Sequence, residues 1–386
     1  MSTYTTVTTP RPPTWRAPRA RLLVNGAAQT RTGLESFTLV RTRYRRADTL
    51  EMTLALDRAQ QATSLWFDVA DPTGDSTLPD IDIQLQMLDG ALEGAQWTTL
   101  FQGIVDHVEW NPARTSIHVQ CRDYLAKLLD LRVREGWLNM TGAELVHSMV
   151  TAAGLTPVVT MSDGMVGQFW QVEHRRMAAA SHARFQTAFD LACALATQAG
   201  CDLYATGRTI TCAPPPGAGT ANTHVLAYAD SGPAAPLMIG ANDLCLTRDY
   251  QIARGVVVHV MSWDSRQRTR VDYYWSASGG SATAPPTGGS LHSFSLPGAR
   301  LDALQRHARQ QYSQIVAHAR TITATIPGRI TLAPRQFMQI GGTGTTWDGT
   351  LDVDAVTSHF SWQGGFSQQV TLRRRTTQHE GEDTND

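Results

Sequence analysis

A chain that carries one hairpin twice is constrained to build related sheets twice, and residues 97–133 hold the first copy: WTTLFQGIVDHVEWNPARTSIHVQCRDYLAKLLDLRV. With Asn111-Pro112-Ala113-Arg114 as the turn, position 110 pairs with 115, 108 with 117 and 106 with 119. One face is then apolar, with Ile104, Val108 and Trp110 beside Ile117, Val119 and Cys121. The other face holds Val105, His107 and Glu109 with Ser116, His118 and Gln120. After Cys121 the period becomes helical, and Leu125, Leu128, Leu129 and Leu131 form its buried side. Residues 349–375, GTLDVDAVTSHFSWQGGFSQQVTLRRR, repeat the pattern. Val105-Asp106-His107-Val108 aligns with Val353-Asp354-Ala355-Val356, and Arg122 aligns with Arg373 if the second turn is about three residues longer. Two related β-barrels are expected.

The rest of the chain divides around these hairpins. Residues 1–20, with prolines at 10, 12, 13 and 18 and arginines at 11, 16 and 19, read as an extended basic arm, either a disordered tail or a segment ordered on a neighbouring subunit. Alternating strands over 21–121 make the first barrel. Residues 122–219 read as a mixed α/β domain. Thr141 and Glu144 have capping-box spacing for a helix ending at Gly154, and a second helix covers 183–199 before Gly200. A hairpin with Thr206-Gly207 at its turn precedes the proline-rich linker 214–219. The second barrel is expected from 220–262 and 320–376. Between its parts lies an inserted segment, 263–319, with a Gly/Ser/Ala/Pro-rich mobile loop at 277–290 and the longest helix at 298–319. Residues 377–386 are an acidic tail. The fold class is β-rich α+β: two antiparallel β-barrels, a mixed middle domain and an inserted helical segment.

Composition removes several function classes. A net charge of −1 provides no global attraction for nucleic acid or anionic membrane. Lys127 is the only lysine, it sits in a leucine-rich helix, and no phosphate loop surrounds it, so lysine nucleophiles and P-loops are not expected. The arginine excess fits either a coding bias or arginine's suitability for interfaces. Five cysteines, an odd number without a C-x-x-C pair, read as reduced thiols of a chain folded in cytoplasm. No apolar run reaches about 18 residues and the N-terminus lacks a signal-peptide core, so neither membrane insertion nor secretion by that route is expected.

Candidate chemistry is sparse. His107 and His118 facing each other, with Glu109 diagonal, would offer two nitrogens and a carboxylate to zinc, but without a supporting motif they read as the solvent- or subunit-facing side of a sheet. His307 and His318 share a helix face at a separation of about 16 Å, too far to hold one ion. His174 and His182 flank a basic loop with Arg175 and Arg176. Asp352 and Asp354 lie two apart on one strand, a spacing that normally marks a solvated face, whereas a glycosidase needs carboxyls across a cleft. Gly341-Gly342-Thr343-Gly344 has no helix or lysine after it and reads as a turn between strands. No catalytic, cofactor-binding or metal residues are assigned, and no enzymatic activity is expected. The competing class is a cell-wall hydrolase, distinguished by metal at His107 and His118 or by activity dependent on Asp352 or Asp354.

Three further stretches complete a recognisable order: FQGIVDHVEW with CRDYLAKLLD, then FDLACALATQAGCDLYATGRTI, then PGARLDALQRHARQQY followed by TATIPGRITLAPRQFMQIGG and DVDAVTSHF. From about Arg21 to Arg374 this order resembles the baseplate hub proteins of contractile-tailed phages, the late control protein D family, which is related to the hub part of type VI secretion spike proteins. The resemblance implies tail-tube-like barrels and a homotrimer acting as a symmetry adaptor between a sixfold tail tube protein and a threefold central spike protein, with baseplate wedge proteins as further partners. It implies a virion tail component assembled in the host cytoplasm, or the equivalent hub of a phage-derived injection or type VI-like particle. No sequence-specific nucleic-acid contact is expected. Neither a lysozyme-like domain nor a long β-helical extension is expected, and the arginine-rich arm matches no family motif.

Overall fold

The computed structural model describes residues 6–7, 17–29, 32–57, 66–67, 79–91, 94–133, 140–161, 168–170, 175–177, 185–229, 238–264, 269–285, 289–296 and 299–375. Most of the N-terminal arm, the acidic tail, and His174 and His182 lie outside these residues. Strand β1 (Thr6–Val7) is followed by β2 (Pro18–Val24), β3 (Ala27–Ala28), β4 (Thr32–Thr42), β5 (Thr49–Leu56), β6 (Asp82–Asp89), β7 (Thr98–Asn111) and β8 (Ser116–Asp123). Alternation places Leu50, Met52 and Leu54 of β5 on one face with Ile117, Val119 and Cys121 of β8, all at most 2% exposed. The hydrogen-bonded order of this first unit is β4-β5-β8-β7-β6-β2, every neighbouring pair antiparallel.

A middle region follows, with helices α1 (Ala126–Asp130), α2 (Gly142–Ala152) and α3 (Ala188–Ala199). Its strands are β9 (Thr156–Val159), β10 (Gln168–Trp170), β11 (Arg175–Met177), β12 (Asp202–Thr206) and β13 (Thr209–Ala213). Thr141 and Glu144 form the expected capping box, satisfying two amides at the start of α2. Gly200 ends α3 at φ 72°, the left-handed conformation that costs glycine least. The α3 helix begins at Ala188 rather than near 183, because the Thr187 side chain accepts the Asp190 amide and fixes the start there. Helix faces and strand β13 close one core around Leu145, Val150, Leu191, Leu195 and Ile210.

The chain then returns to sheet through β14 (Thr223–Ala229), β15 (Met238–Ile239) and β16 (Asp243–Arg248). An insertion holds α4 (Tyr250–Ala253), β17 (Val256–Asp264), β18 (Thr269–Ser276), β19 (Gly279–Ser281), β20 (Ser290–Ser295) and α5 (Leu301–Val316), the last continued by a short 3₁₀ turn at Ala317–Ala319. The glycine-rich stretch expected as a mobile loop contributes β19, whose Gly280 lies against Tyr273 and Trp275 where a side chain would collide. Leu304 and Ala308 of α5 are fully buried on Val258 and Val260. Strands β21 (Arg320–Pro327), β22 (Phe337–Gly341), β23 (Gly349–Ser361) and β24 (Gly365–Arg373) complete a second unit.

The second unit repeats the first. Its order, β16-β21-β24-β23-β22-β14, places each strand where its counterpart stands in β4-β5-β8-β7-β6-β2. Core positions repeat too: Leu50, Met52 and Leu54 correspond to Ile322, Ala324 and Ile326, all buried. One strand departs: β14 runs parallel to β22, whereas β2 is antiparallel to β6. The two units join through β4, which pairs with residues 355–361 of β23 (Thr42 facing Ala355, Ser36 facing Ser361) and merges them into a single 15-stranded sheet.

Candidate functional site: a duplicated bulge and the edges it prepares

The first hairpin departs from the expected register in two ways. Trp110 faces Ile117 and Val108 faces Val119, a slip of two residues, because the turn spans the four residues 112–115. A slip of two preserves the faces. A β-bulge then interrupts the pairing between Val105 and His107, with Asp106 as the extra residue, and it exchanges the faces below. Val105 therefore packs on the core of the first unit, while Ile104 turns outward and joins Tyr124, Leu125 and Leu128 in the middle core. One step lower, Gly103 lets the strands approach: a Cβ there would lie 2.1 Å from the Arg122 carbonyl oxygen.

The second hairpin has the same bulge at the aligned residue, Asp354, between Val353 and Ala355. Its extra length lies in the strands, not in the turn, which is only residues 362–364. In both copies the bulged aspartate meets the aligned arginine across the hairpin. Arg122 donates from Nε to Asp106 Oδ2 at 2.6 Å and from Nη2 to Oδ1 at 2.8 Å. Arg373 donates to Asp354 Oδ2 at 3.2 Å, and Arg375 adds a fork of 2.6 and 2.8 Å.

The environments differ. Asp106 and Arg122 are 28% and 32% exposed at their side chains, whereas Asp354 is fully buried. Beside Asp354, Arg43 from the first unit bridges Asp202 of the middle region at 2.9 Å and Asp352 of the second unit at 3.1 Å. Arg335 approaches Asp202 at 3.2 Å without hydrogen-bond alignment at Nε, and its guanidinium lies over the Tyr204 ring at 4.1 Å. Burial raises the pKa of Asp352 and lowers that of Arg335, and the opposed charges around them offset this in part. Nearby, burial followed by the mutual repulsion of Asp48 and Asp123 pushes Asp123 up to about 8. The cluster fixes the three regions against one another.

This arrangement relocates the sequence candidates. Asp352 and Asp354 are not a solvated face: the bulge and the second arginine bury both. His107 faces Gln120 and Glu109 faces His118, so the two histidines do not oppose each other, and among the described residues no cluster of three or more metal-ligating side chains occurs. In the glycine loop the Thr343 and Gly344 amides donate to Asp348 at 3.0 and 3.2 Å, so the loop carries its own anion. Lys127 is paired with Asp80, and His307 packs edge-on to Phe294.

Sequence reading missed one constellation in the insertion. Ser293 Oγ lies 3.4 Å from His259 Nδ1, and His259 Nε2 lies 2.7 Å from Asp272 Oδ1, because neighbouring strands bring the three into step. Tyr274 stacks on the imidazole at 4.4 Å, His259 is 8% exposed, and Arg270 also holds Asp272. His259 is buried, Ser293 is exposed and Asp272, shared with Arg270, is partly exposed; the three tie β17 to β18 and β20.

The counterparts of the two strand edges that meet in the joint between the units both stand open among the described residues. In β23, β4 covers the edge at residues 355–361, and Val356 and Ser358 are fully buried. The counterpart edge of β7, beyond Asp106, has no strand beside it; Trp110, which aligns with Ser358, is 42% exposed. At the other end, β16 pairs only with β21, and Asp243, Cys245, Thr247 and Arg248 are exposed, whereas its counterpart β4 is covered on both sides. An open β edge is a template for another strand.

No protein-family model matches the chain, and no curated protein does. Solved structures do. The 43 kDa tail protein of prophage MuSo2 from Shewanella oneidensis matches at TM-score 0.61 with 12% identity, over 93% of this chain and 99% of that one. A tail protein from Neisseria meningitidis MC58 matches at 0.61 with 13% identity, over 92% and 96%. An E. coli component of the type VI secretion system, described as structurally similar to the T4 bacteriophage tail proteins gp27 and gp5, matches at 0.55 with 8% identity, over 92% and 77%. The chain thus shares its fold, over nearly its whole length, with phage tail proteins and with a type VI secretion component.

Proposed function

We propose that this chain is a structural hub of a phage tail or related injection particle, a homotrimer that presents six sheet units to a sixfold tube and threefold symmetry to a central spike. The observation that carries this reading is the head-to-tail joint inside one chain. The β4 edge of the first unit meets the β23 edge of the second, which leaves the counterpart edges, β16 and β7, without a paired strand among the described residues, at opposite ends. Repeating the same joint between chains joins β16 of one copy to β7 of the next, and a head-to-tail contact of this kind closes a ring when its rotation permits.

The register follows from the repeat. Val40 corresponds to Thr247, since each is aligned through its sheet with Ile104 and Asp352 respectively. Val40 faces Thr357, whose counterpart is Glu109. Thr247 is thus expected beside Glu109 of the neighbouring copy, Leu246 beside Trp110 and Cys245 beside Asn111. Trp110 would then be covered as Ser358 already is. Each unit contributes four strands to the ring, so three chains make about 24 strands. At ~4.8 Å per strand and tilts up to ~40°, the backbones stand roughly 37–48 Å apart across the ring.

The face away from the unit cores would line this bore. It carries Thr53, His118, Gln120, Thr323, Thr357 and Gln369, polar side chains with few unpaired charges. Such a wall has little to hold a nucleic acid by its phosphates. The E. coli type VI component of the same fold keeps the phage-derived particle as a second setting for the same ring. Mass photometry of the purified chain, or electron microscopy, tests the reading: a species of three chains in ring form is expected, and a stable monomer at micromolar concentration would contradict it.

A further inference from the structure

Strand directions settle which end of each unit carries which feature. β23 is antiparallel to β4, β4 to β5, β5 to β8 and β8 to β7, so β7 and β23 run the same way. Both hairpin tips, residues 112–115 and 362–364, therefore project from one end of the joined sheet. The register agrees: Asn111 faces Ser116, Ser116 faces Ala55 and Ala55 faces Gly33, while Ser361 faces Ser36 of that same strand. A Cβ on Gly33 would lie 3.7 Å from the Trp362 ring.

Both insertions leave from the other end. The middle region starts after Asp123, at the foot of the first hairpin. The second insertion lies between Arg248 and Arg320, which pair with each other beside Thr321 and Arg373, at the foot of the second. The two ends thus differ in symmetry. The tip end shows a two-stranded hairpin twice in each chain, four strands apart, with a turn of four residues in the first and of three in the second. The foot end carries unlike structures: a three-stranded sheet with helices on one unit, and a four-stranded sheet with α5 on the other.

We infer that the tip end docks the sixfold partner, a ring of tube subunits, and that the foot end docks the threefold partner. This rests on the three-chain ring proposed above, in which the tip device recurs six times and the foot pattern three times. Matching symmetry lets every tip meet an equivalent partner surface, whereas the unlike insertions would leave half of a sixfold partner's surfaces with a different neighbour. The tips carry exposed side chains suited to contact: Ala113 and Arg114 on one, and Trp362, 70% exposed, on the other.

The test uses the full chain, with sixfold rings of the tail-tube protein from the same genome as the probe. One variant combines Ala113→Asp with Trp362→Asp at the tips; the other combines Tyr250→Asp with Leu301→Asp in the second insertion. All four positions are exposed, so each variant should form the same ring as the unmodified chain. Co-sedimentation with tube rings should weaken about tenfold or more for the tip variant and less than about twofold for the insertion variant. Retained binding by the tip variant, lost binding by the insertion variant, or no binding by an intact ring would overturn the assignment. Failure of the unmodified chain to form a ring is a separate result, which refutes the trimer and takes the assignment with it.

Discussion

The two hairpins use one device in two settings, and the contrast separates what the bulge does from what burial adds. In the first unit the Asp106–Arg122 pair is part-exposed, and its main consequence is geometric: the extra residue turns Ile104 from one core into another. In the second unit the same exchange of faces turns Asp352, the counterpart of Ile104, into a buried ion cluster. There Asp354 compensates Arg373 and Arg375, and Tyr44 adds a contact at 3.3 Å. One bulge therefore attaches a domain by apolar packing and the other by charge.

The largest effect should come from removing the buried carboxylate. Asp354→Ala leaves two arginines without their shared anion and should cost about 3–5 kcal/mol in chemical denaturation. A loss under about 1 kcal/mol would show the cluster to be wetter than its geometry indicates.

An intermediate effect is expected at the feet of the units. The first carries Asp48 and Asp123 where the second carries Arg320 and Arg374. Asp123 is raised by burial, then by Asp48, to about 8, so the folded chain holds a proton that the unfolded chain releases near the ordinary carboxylate range. That contribution to stability is complete below about pH 4 and is lost as pH rises toward 8. Asp123→Asn should remove the Asp123 share of this slope and leave that of Asp48, which burial raises to about 6, and at pH 8 it should be more stable than the unmodified chain by about 1–3 kcal/mol. Parallel denaturation curves at pH 5 and pH 8 check it: an unchanged slope would mean that Asp123 is ionised throughout. The smallest effect belongs to Asp106→Ala, at about 0–1 kcal/mol, because its arginine stays hydrated when the pair is broken. A cost equal to that of Asp354→Ala would erase the contrast between the units.

What was legible in the sequence was local. Alternation gave the strands of both units, Thr141 with Glu144 gave a helix start, Gly200 gave a helix end, and V-D-x-V with a distant arginine gave the repeat. The turn expected at Thr206-Gly207 lies within a residue of that place, the loop being Gly207 and Arg208. The bulges were not legible, since an inserted residue breaks the period of two without leaving a composition signal, and they decide which way Ile104 and Asp352 point. The ion cluster was hidden for another reason. Arg43, Asp202, Arg335 and Asp354 come from distant parts of the chain, so no spacing relates them. The parallel course of β14 likewise depends on tertiary neighbours, because its alternation suits either direction.

The joint between copies can be tested by a single cross-link. Cys245 is exposed on β16, and in the proposed ring it would lie beside Asn111 of the next chain, at a strand-pair separation of about 4.5–5.5 Å that a disulfide spans. Oxidised Asn111→Cys protein should run on a denaturing, non-reducing gel as one, two and three linked chains and nothing larger, and Cys245→Ser should abolish the ladder. No linkage, linkage that stops at two chains, or a ladder extending past three would contradict a closed ring of three.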